Sequence, residues 1–177
     1  MRKVTFGVAN SLDNFIARED HSVDWLMWGK EAAEVAAKFW EKVDTILMGR
    51  KTYEVGLRLT GGKGNPMPGL KTYVFSRTLA PSAAIKDTEI IATDAVRFLR
   101  KLRRARGKEI CVMGGGELAQ PLFEAKLIDE VGLNIHPVLL GAGIPLFHRM
   151  KRQINLELRE CRQFKNGCVL VRYRVKY

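Results

Sequence analysis

The chain predicts an α/β fold, a mostly parallel sheet with antiparallel strands at one edge. Three observations carry that reading. Short apolar runs at Thr45–Met48, Lys71–Phe75 and Ile110–Met113 alternate with amphipathic segments of helical period, as parallel strands joined by crossover helices do. Two of these runs pass into their helices through glycine, at Gly49 and at Gly114–Gly116. The last segment, Ile154–Tyr177, reads as two strands around Asn166-Gly167, the strongest short hairpin signal.

Taken in order, Lys3–Ala9 reads as the first strand. Glu31–Lys42 is a helix with Ala32, Val35, Ala36, Phe39 and Val43 on one face, and Glu34 is spaced to pair with Lys38. Thr45–Met48 suits a buried strand and Gly49–Leu57 a helix. Thr60–Gly69, rich in glycine and holding Pro66 and Pro68, is one long surface loop. Lys71–Phe75 and Glu89–Ala92 are strands. Thr93 then caps an amphipathic helix whose apolar stripe is Ala95, Phe98, Leu99, Leu102 and Ala105. Ile110–Met113 is a strand, Glu117–Ala125 a helix with Pro121 in its first turn, and Val131–Leu139 a strand. A two-residue turn at Asn166-Gly167 pairs Phe164 with Val169, Leu158 with Val175 and Leu156 with Tyr177. That register puts Leu156, Leu158, Phe164, Val169, Val171, Tyr173, Val175 and Tyr177 on one face.

The length, 177 residues, predicts a single domain over 1–177. With 46% hydrophobic and 28% charged residues, intrinsic disorder is excluded. The longest mostly apolar stretch, Val131–Phe147, is interrupted by Asn134, His136, Pro137 and Pro145. It falls short of the ~20 apolar residues of a spanning helix, so no membrane partner is expected. The N-terminus runs straight into a strand pattern with no signal core, so export is not expected. Cys111, Cys161 and Cys168 have no C-x-x-C spacing. They predict neither a disulfide framework nor a metal site, but buried or half-buried thiols in the cytoplasm.

The net charge is +11, and seven basic residues lie between Arg97 and Lys108; without them the chain carries +4. Three readings of that stretch stand: a solvated outer helix face, a nucleic-acid footprint, and a site for a phosphorylated ligand. No aromatic residue alternates with the basic ones on their own face and no nucleic-acid-binding signature is present, so nucleic acid is disfavoured as a partner.

The strand ends are chemically alike. They are Asn10-Ser11-Leu12-Asp13, Gly49-Arg50-Lys51-Thr52, Ser76-Arg77-Thr78 and Gly114-Gly115-Gly116-Glu117. Open α/β sheets bind ligands outside the carboxyl ends of their strands. Glycine junctions into helices present free N–H groups to anions, hydroxyls add donors, and arginine suits phosphate. Several such ends on one sheet edge point to a dinucleotide. Taken singly, Gly49 also reads as a simple turn, Arg77 as a loop charge, and the glycine triplet as close packing. Gly114–Ala119 matches G-x-G-x-x-[G/A], but no acidic residue stands about 20 positions on at the next strand end, which disfavours a Rossmann unit. Neither glycine site has the Gly-Lys-[Ser/Thr] of a P-loop, so the chain is not an NTPase.

Met48-Gly49-Arg50-Lys51-Thr52-Tyr53-Glu54, Phe75-Ser76-Arg77-Thr78 and Met113-Gly114-Gly115-Gly116-Glu117-Leu118 resemble, in order and spacing, the dihydrofolate reductase superfamily. The closer match is the reductase domain of the riboflavin-biosynthesis deaminase-reductase. Ser11-Leu12-Asp13, Ile16-Ala17, Asp24-Trp25-Leu26 and Leu127-Ile128-Asp129-Glu130-Val131 look like that branch too, so the resemblance covers nearly the whole chain. It implies a dihydrofolate reductase-like three-layer sandwich and a cytoplasmic NADPH-dependent oxidoreductase, often a homodimer. Its substrate would be a small pterin-, pyrimidine- or ribosylamino-uracil-like molecule. Alternatives are a true dihydrofolate reductase and a non-catalytic nucleotide- or nucleic-acid-binding protein of the same fold.

The cofactor set implied is Ala9, Ile16, Gly49, Arg50, Lys51, Thr52, Ser76, Arg77, Thr78, Met113, Gly114, Gly115, Gly116, Glu117 and Leu118. Ser76 and Arg77 match the adenosine 2′-phosphate site, and Gly114–Gly115 a pair joined in dihydrofolate reductases by a cis peptide. The catalytic set implied is Ser11, Asp13 and Trp25. Asp13 reads as general acid, substrate anchor or loop cap, and Trp25 as pocket wall or core. Glu31, Glu34 or a water are the other proton sources. His136 and His148 read as strand or surface residues. Two positions depart from the branch: Met113 stands where its members commonly carry glutamate, and Asn14 where a glycine usually follows Ser-Leu-Asp.

Overall fold

In the computed structural model, which describes residues 1–62, 64–65 and 67–177, the strands are β1 (Val4–Ser11), β2 (Phe15–Ala17), β3 (Val43–Gly49), β4 (Lys71–Phe75), β5 (Thr88–Ile91), β6 (Glu109–Met113), β7 (Glu130–His136), β8 (Ile144–Pro145), β9 (Asn155–Gln163) and β10 (Val169–Lys176). The helices are α1 (Lys30–Trp40), α2 (Arg50–Leu59), α3 (Ala95–Leu102) and α4 (Gly116–Glu124). Eight strands form one sheet in the order β5-β4-β3-β6-β1-β7-β10-β9. Its pairs are parallel from β5 to β7 and antiparallel at β7-β10-β9. A second, two-stranded sheet joins β2 to β8.

Alternation along the strands sends successive side chains to opposite faces. Phe6, Leu47, Val112 and Val131 pack with Leu99 of α3 and Leu122 and Phe123 of α4. Ile46, Met48, Val74 and Cys111 pack with Tyr53 of α2 and with Phe39 and Trp40 of α1. The result is a three-layer sandwich of the dihydrofolate reductase-like kind, with a mostly parallel central sheet. The helix α1 is unlike the others, since none of its residues is buried.

The expected elements are all present, with local corrections. Val43 opens β3 rather than closing the helix before it. Glu34 and Lys38 both point into solvent and do not pair. The cap of α3 is Asp94, whose carboxylate accepts from Arg97 N at 2.7 Å, not Thr93. That helix stops at Leu102, because the next carbonyl, Arg103 O, accepts from Arg2 N and binds the chain to the start of β1. Ala105 therefore leaves the helical stripe. Pro121 is the sixth residue of α4, beyond the first turn; the carbonyl it leaves unpaired belongs to Glu117, and both residues face solvent, where water replaces the lost bond. β7 ends before Pro137, which has no N–H for the ladder.

The hairpin differs in register. Val169 pairs with Gln163, and after an irregularity at Arg172/Tyr173, Val175 pairs with Leu156. Gly167 N donates to Phe164 O, and Phe164 N to Cys168 O, so the loop has three residues, closed by Gly167 at φ 87°. A left-handed glycine there makes a bulged turn, which shifts the pairing by one. Phe164, Val171 and Val175 are buried as expected, but Leu156, Leu158 and Tyr177 are exposed, β9 being the edge strand. Cys161 lies on that edge and is exposed; Cys111 and Cys168 are buried. Asn14 has φ 66°, a left-handed position that asparagine tolerates where a glycine is usual. The loop expected at 60–69 begins with Gly61 and Gly62 at positive φ; its Lys63 and Pro66 lie outside the described residues.

Candidate active site

The parallel register lines up the strand ends. Gly49 is level with Phe75, Met48 with Met113, and Met113 with Gly7. Gly49, Ser76 and Gly114 thus leave one edge of the sheet together, and β1 runs on past Gly7 to Ser11 along β7. Two helices start on this edge, α2 after Gly49 and α4 after Gly115. Both cap residues are extended, and neither supplies a side-chain acceptor. Their first-turn N–H groups remain available to an anion, and the helix dipole favours one. The first turn of α2 holds no acid, whereas that of α4 holds Glu117. Space beside Gly49 is open to 4 Å.

Arg50 donates through Nε to Glu54 at 2.5 Å and through its terminal nitrogen to Thr78 Oγ1 at 2.8 Å. The guanidinium holds the Glu54 carboxyl below the usual carboxylate range and ties α2 to the turn after β4. That turn is shaped by Ser76, whose hydroxyl accepts from Thr78 N and Leu79 N. Arg77 is exposed beside it and makes no hydrogen bond or ion pair among the described residues. Lys51 stands 3.7 Å from Glu54.

The three glycines do different work. Gly114, at φ 100°, lies against Thr52 so closely that a β-carbon would collide with the threonine hydroxyl. Gly116 is buried with Leu146 O 2.5 Å from where its β-carbon would be. Gly115 is the helix cap and faces Ile16, whose Cδ1 would sit 3.4 Å from an added β-carbon. Close packing thus explains Gly114 and Gly116, and Gly115 alone presents backbone to the groove. The Gly114–Gly115 peptide is trans, not the cis bond implied by resemblance. Met113 and Leu118 pack partly into the two cores.

At the end of β1 the Ser11 hydroxyl, fully buried, donates to Asp13 Oδ1 at 2.5 Å and accepts from Phe15 N. Asp13 also accepts from Leu140 N and Gly141 N. The Ser11 hydrogen bond, with those of Gly141 and Leu140, outweighs desolvation and lowers its pKa. An acid so held stays ionised at neutral pH. Of its three readings the geometry favours the loop cap, which fastens 140–141, and disfavours the general acid. Glu31 accepts from Lys165 N at 2.9 Å and Glu34 is exposed. Trp25 is 8% exposed and stacks edge-on against His136, ring centroids 5.3 Å apart.

His136 is the residue that sequence reasoning passed over. It is 2% exposed, and burial lowers its pKa, keeping it neutral. Its Nδ1 accepts from Met27 N at 3.1 Å, which puts the proton on Nε2; the Asn134 amide, 3.2 Å away, can accept that proton only with its oxygen turned to the ring. Asn10 and Trp25 each keep a buried polar atom with no protein partner, as does the Asn134 amide. The signal was the two-residue spacing of Asn134 and His136, which puts two polar side chains on one strand face beside Ala9 and Ser11.

The edge therefore holds two neighbouring clusters. Arg50, Thr52, Ser76, Arg77, Thr78 and Gly114–Gly116 form one; Ser11, Asp13, Trp25, Asn134 and His136 form the other. Ile16 over Gly115 lies between them. Of the expected set, Ile16, Met113 and Leu118 pack against the cores, and Trp25 is itself buried. Among the described residues no helix is long and apolar enough to cross a membrane.

Comparison with known proteins agrees with this architecture. The family model of the RibD C-terminal domain matches residues 2–170. Two Bacillus subtilis proteins described as uncharacterized are similar throughout: YwjB, 35% identical over 92% of each chain, and YyaP, 32% identical over 97% of this chain and 94% of its own. Among solved structures, a Shewanella sp. PV-4 protein provisionally ascribed to riboflavin biosynthesis superposes with a TM-score of 0.83 at 24% identity over 100% of both chains. Acinetobacter baumannii RibD superposes with a TM-score of 0.72 at 16% identity, over 99% of this chain and 58% of that one. With residues 2–170 matched by one domain model, the chain belongs to the RibD C-terminal domain family, a family of reductase-type domains.

Proposed function

We propose that the protein is an NADPH-dependent reductase acting on a small pterin-, pyrimidine- or ribosylamino-uracil-like ring. The observation that carries this is the meeting of three separate chain segments at one edge: Arg50 bound to Thr78, with Thr52 packed on Gly114. The residues fit the cofactor. Two uncapped helix starts and open space beside Gly49 suit a pyrophosphate, and the unpaired Arg77 beside Ser76 suits a further phosphate on the adenosine ribose. Bound NADPH would supply the hydride.

The chain's own residues hold and orient. The uncapped N–H groups of α2 and the Arg77 guanidinium hold phosphate. Ile16 and Gly115 bound the space between the phosphate cluster and the His136 cluster, where the ring to be reduced would lie. Asn134 and Trp25, both beside His136, each keep a polar atom that lacks a protein partner, the chemistry that reads the edge of a heterocycle.

Fluorescence titration with NADPH, and loss of the nicotinamide absorbance with a panel of pterins and pyrimidines, tests the reading. Saturable NADPH binding that weakens in Arg77→Ala, with turnover of one ring class, is expected. Binding without turnover of any ring would favour the non-catalytic alternative. Turnover of dihydrofolate alone would make it a dihydrofolate reductase.

A further inference from the structure

We propose that the arginine turn after α3 forms a second ligand site, for a small multiply phosphorylated anion, at the end of the sheet opposite the reductase edge. A cavity of about 540 Å³ opens there between Arg2, Lys71, Tyr73, Leu102 and Arg106. A second, of about 370 Å³, adjoins it and is lined by Met1, Arg103 and Arg104. Both share Arg2, Ala105 and Arg106. They lie where β1, β3, β4 and β6 begin. The reductase groove lies where those strands end, roughly 15–20 Å away at ~3.3 Å per residue.

The turn is held rigidly from below. Arg2 donates to Lys108 O and pairs with Asp44, its backbone N–H binds Arg103 O, and Lys108 N donates to Asp44 Oδ2. Gly107, at φ 149°, lies so near Arg2 and Asp44 that a β-carbon would come within 2.7 Å of the carboxylate. Arg103 is committed to Asp129. Arg104 and Arg106 are different: both are exposed, and neither side chain makes a hydrogen bond or ion pair among the described residues.

Helix electrostatics accounts for Arg100 and Lys101 in the last turn of α3, but the dipole fades beyond that turn and does not account for Arg104 and Arg106. Of the carboxylates lining the larger cavity, Asp44 is already paired and Asp87 is the other. Two unpartnered guanidiniums on a backbone turn held in place, above a concave floor, suit adjacent phosphates. A nucleic-acid groove would want open aromatic platforms, whereas Tyr73 is packed edge-on against Phe98, with centroids 4.8 Å apart.

The test is calorimetric titration of the full chain with inorganic tripolyphosphate near physiological ionic strength. Expected is one saturable site, weakened about tenfold or more in Arg104→Ala/Arg106→Ala, partly restored in Arg104→Lys/Arg106→Lys, and unchanged in Arg77→Ala. Circular dichroism confirms that each variant is folded, and NADPH titration of the double-alanine variant reports on the other edge independently. Absence of binding, binding unaffected by the double substitution, or binding lost in Arg77→Ala would each overturn the proposal. So would a single-stranded RNA oligomer that binds at this turn more tightly than tripolyphosphate.

Discussion

Thr52 sits over Gly114 with no room for a side chain between them, so the first turn of α2 and the end of β6 share one contact. Gly114→Ala places a β-carbon both into that contact and onto a left-handed backbone. Strain of ~1–2 kcal/mol and overpacking of ~1–3 kcal/mol predict a loss of about 2–5 kcal/mol, read by urea unfolding. Adding Thr52→Ala should recover the packing part and leave the backbone part. Additive losses in the double variant would show that the two residues do not press on each other.

Arg77→Ala should change binding and not folding. The side chain is exposed and has no protein partner among the described residues, so the thermal midpoint should stay where it is. A charge-assisted contact to phosphate is worth ~1.5–3 kcal/mol, which predicts NADPH affinity about 10- to 100-fold weaker. NADH affinity should hold. An equal fall for both cofactors would remove Arg77 from the 2′-phosphate.

Asp13 titrates below its ordinary value, chiefly because Ser11 donates to it. A lowered native pKa means that its contribution is complete above the unfolded value of about 3.9 and disappears as pH falls through the native one. Asp13→Asn should therefore remove part of the loss of stability below about pH 4. It should also speed amide exchange at Leu140 and Gly141, whose N–H groups it accepts. Urea midpoints across that range, with exchange at those two amides, check both effects.

His136 has the same sign for a different reason. Burial keeps it neutral, so from about pH 6.5 downward the unfolded chain takes up a proton that the native one refuses. Stability falls through that window in the wild type and should be flatter in His136→Gln. Met27 amide exchange should quicken as the pH falls toward the native value, since a protonated Nδ1 no longer accepts. A Met27 rate that tracks hydroxide concentration alone would break that link.

The mostly parallel sheet with its antiparallel edge was readable because parallel strands between helices leave strong period changes in the sequence. The hairpin register was not, because one left-handed glycine adds a residue to the turn and moves every pair beyond it. That Gly49, Ser76 and Gly114 share one edge was legible from the chemistry of the strand ends. His136, Asn134 and Asn10 were not, since polar residues in a strand are ambiguous until their neighbours exclude water. Asp13 shows the converse: its spacing looked chemical, and its three donors make it a fastening.

The helix α1 covers the sheet near the groove with Ala32, Val35, Ala36 and Phe39, yet none of them is buried. A roof seated so lightly has little to resist opening, so its amides should exchange early and its connecting loops should be cut first by protease. A ligand bound at the groove should steady it, and the melting temperature should then rise with the logarithm of ligand concentration.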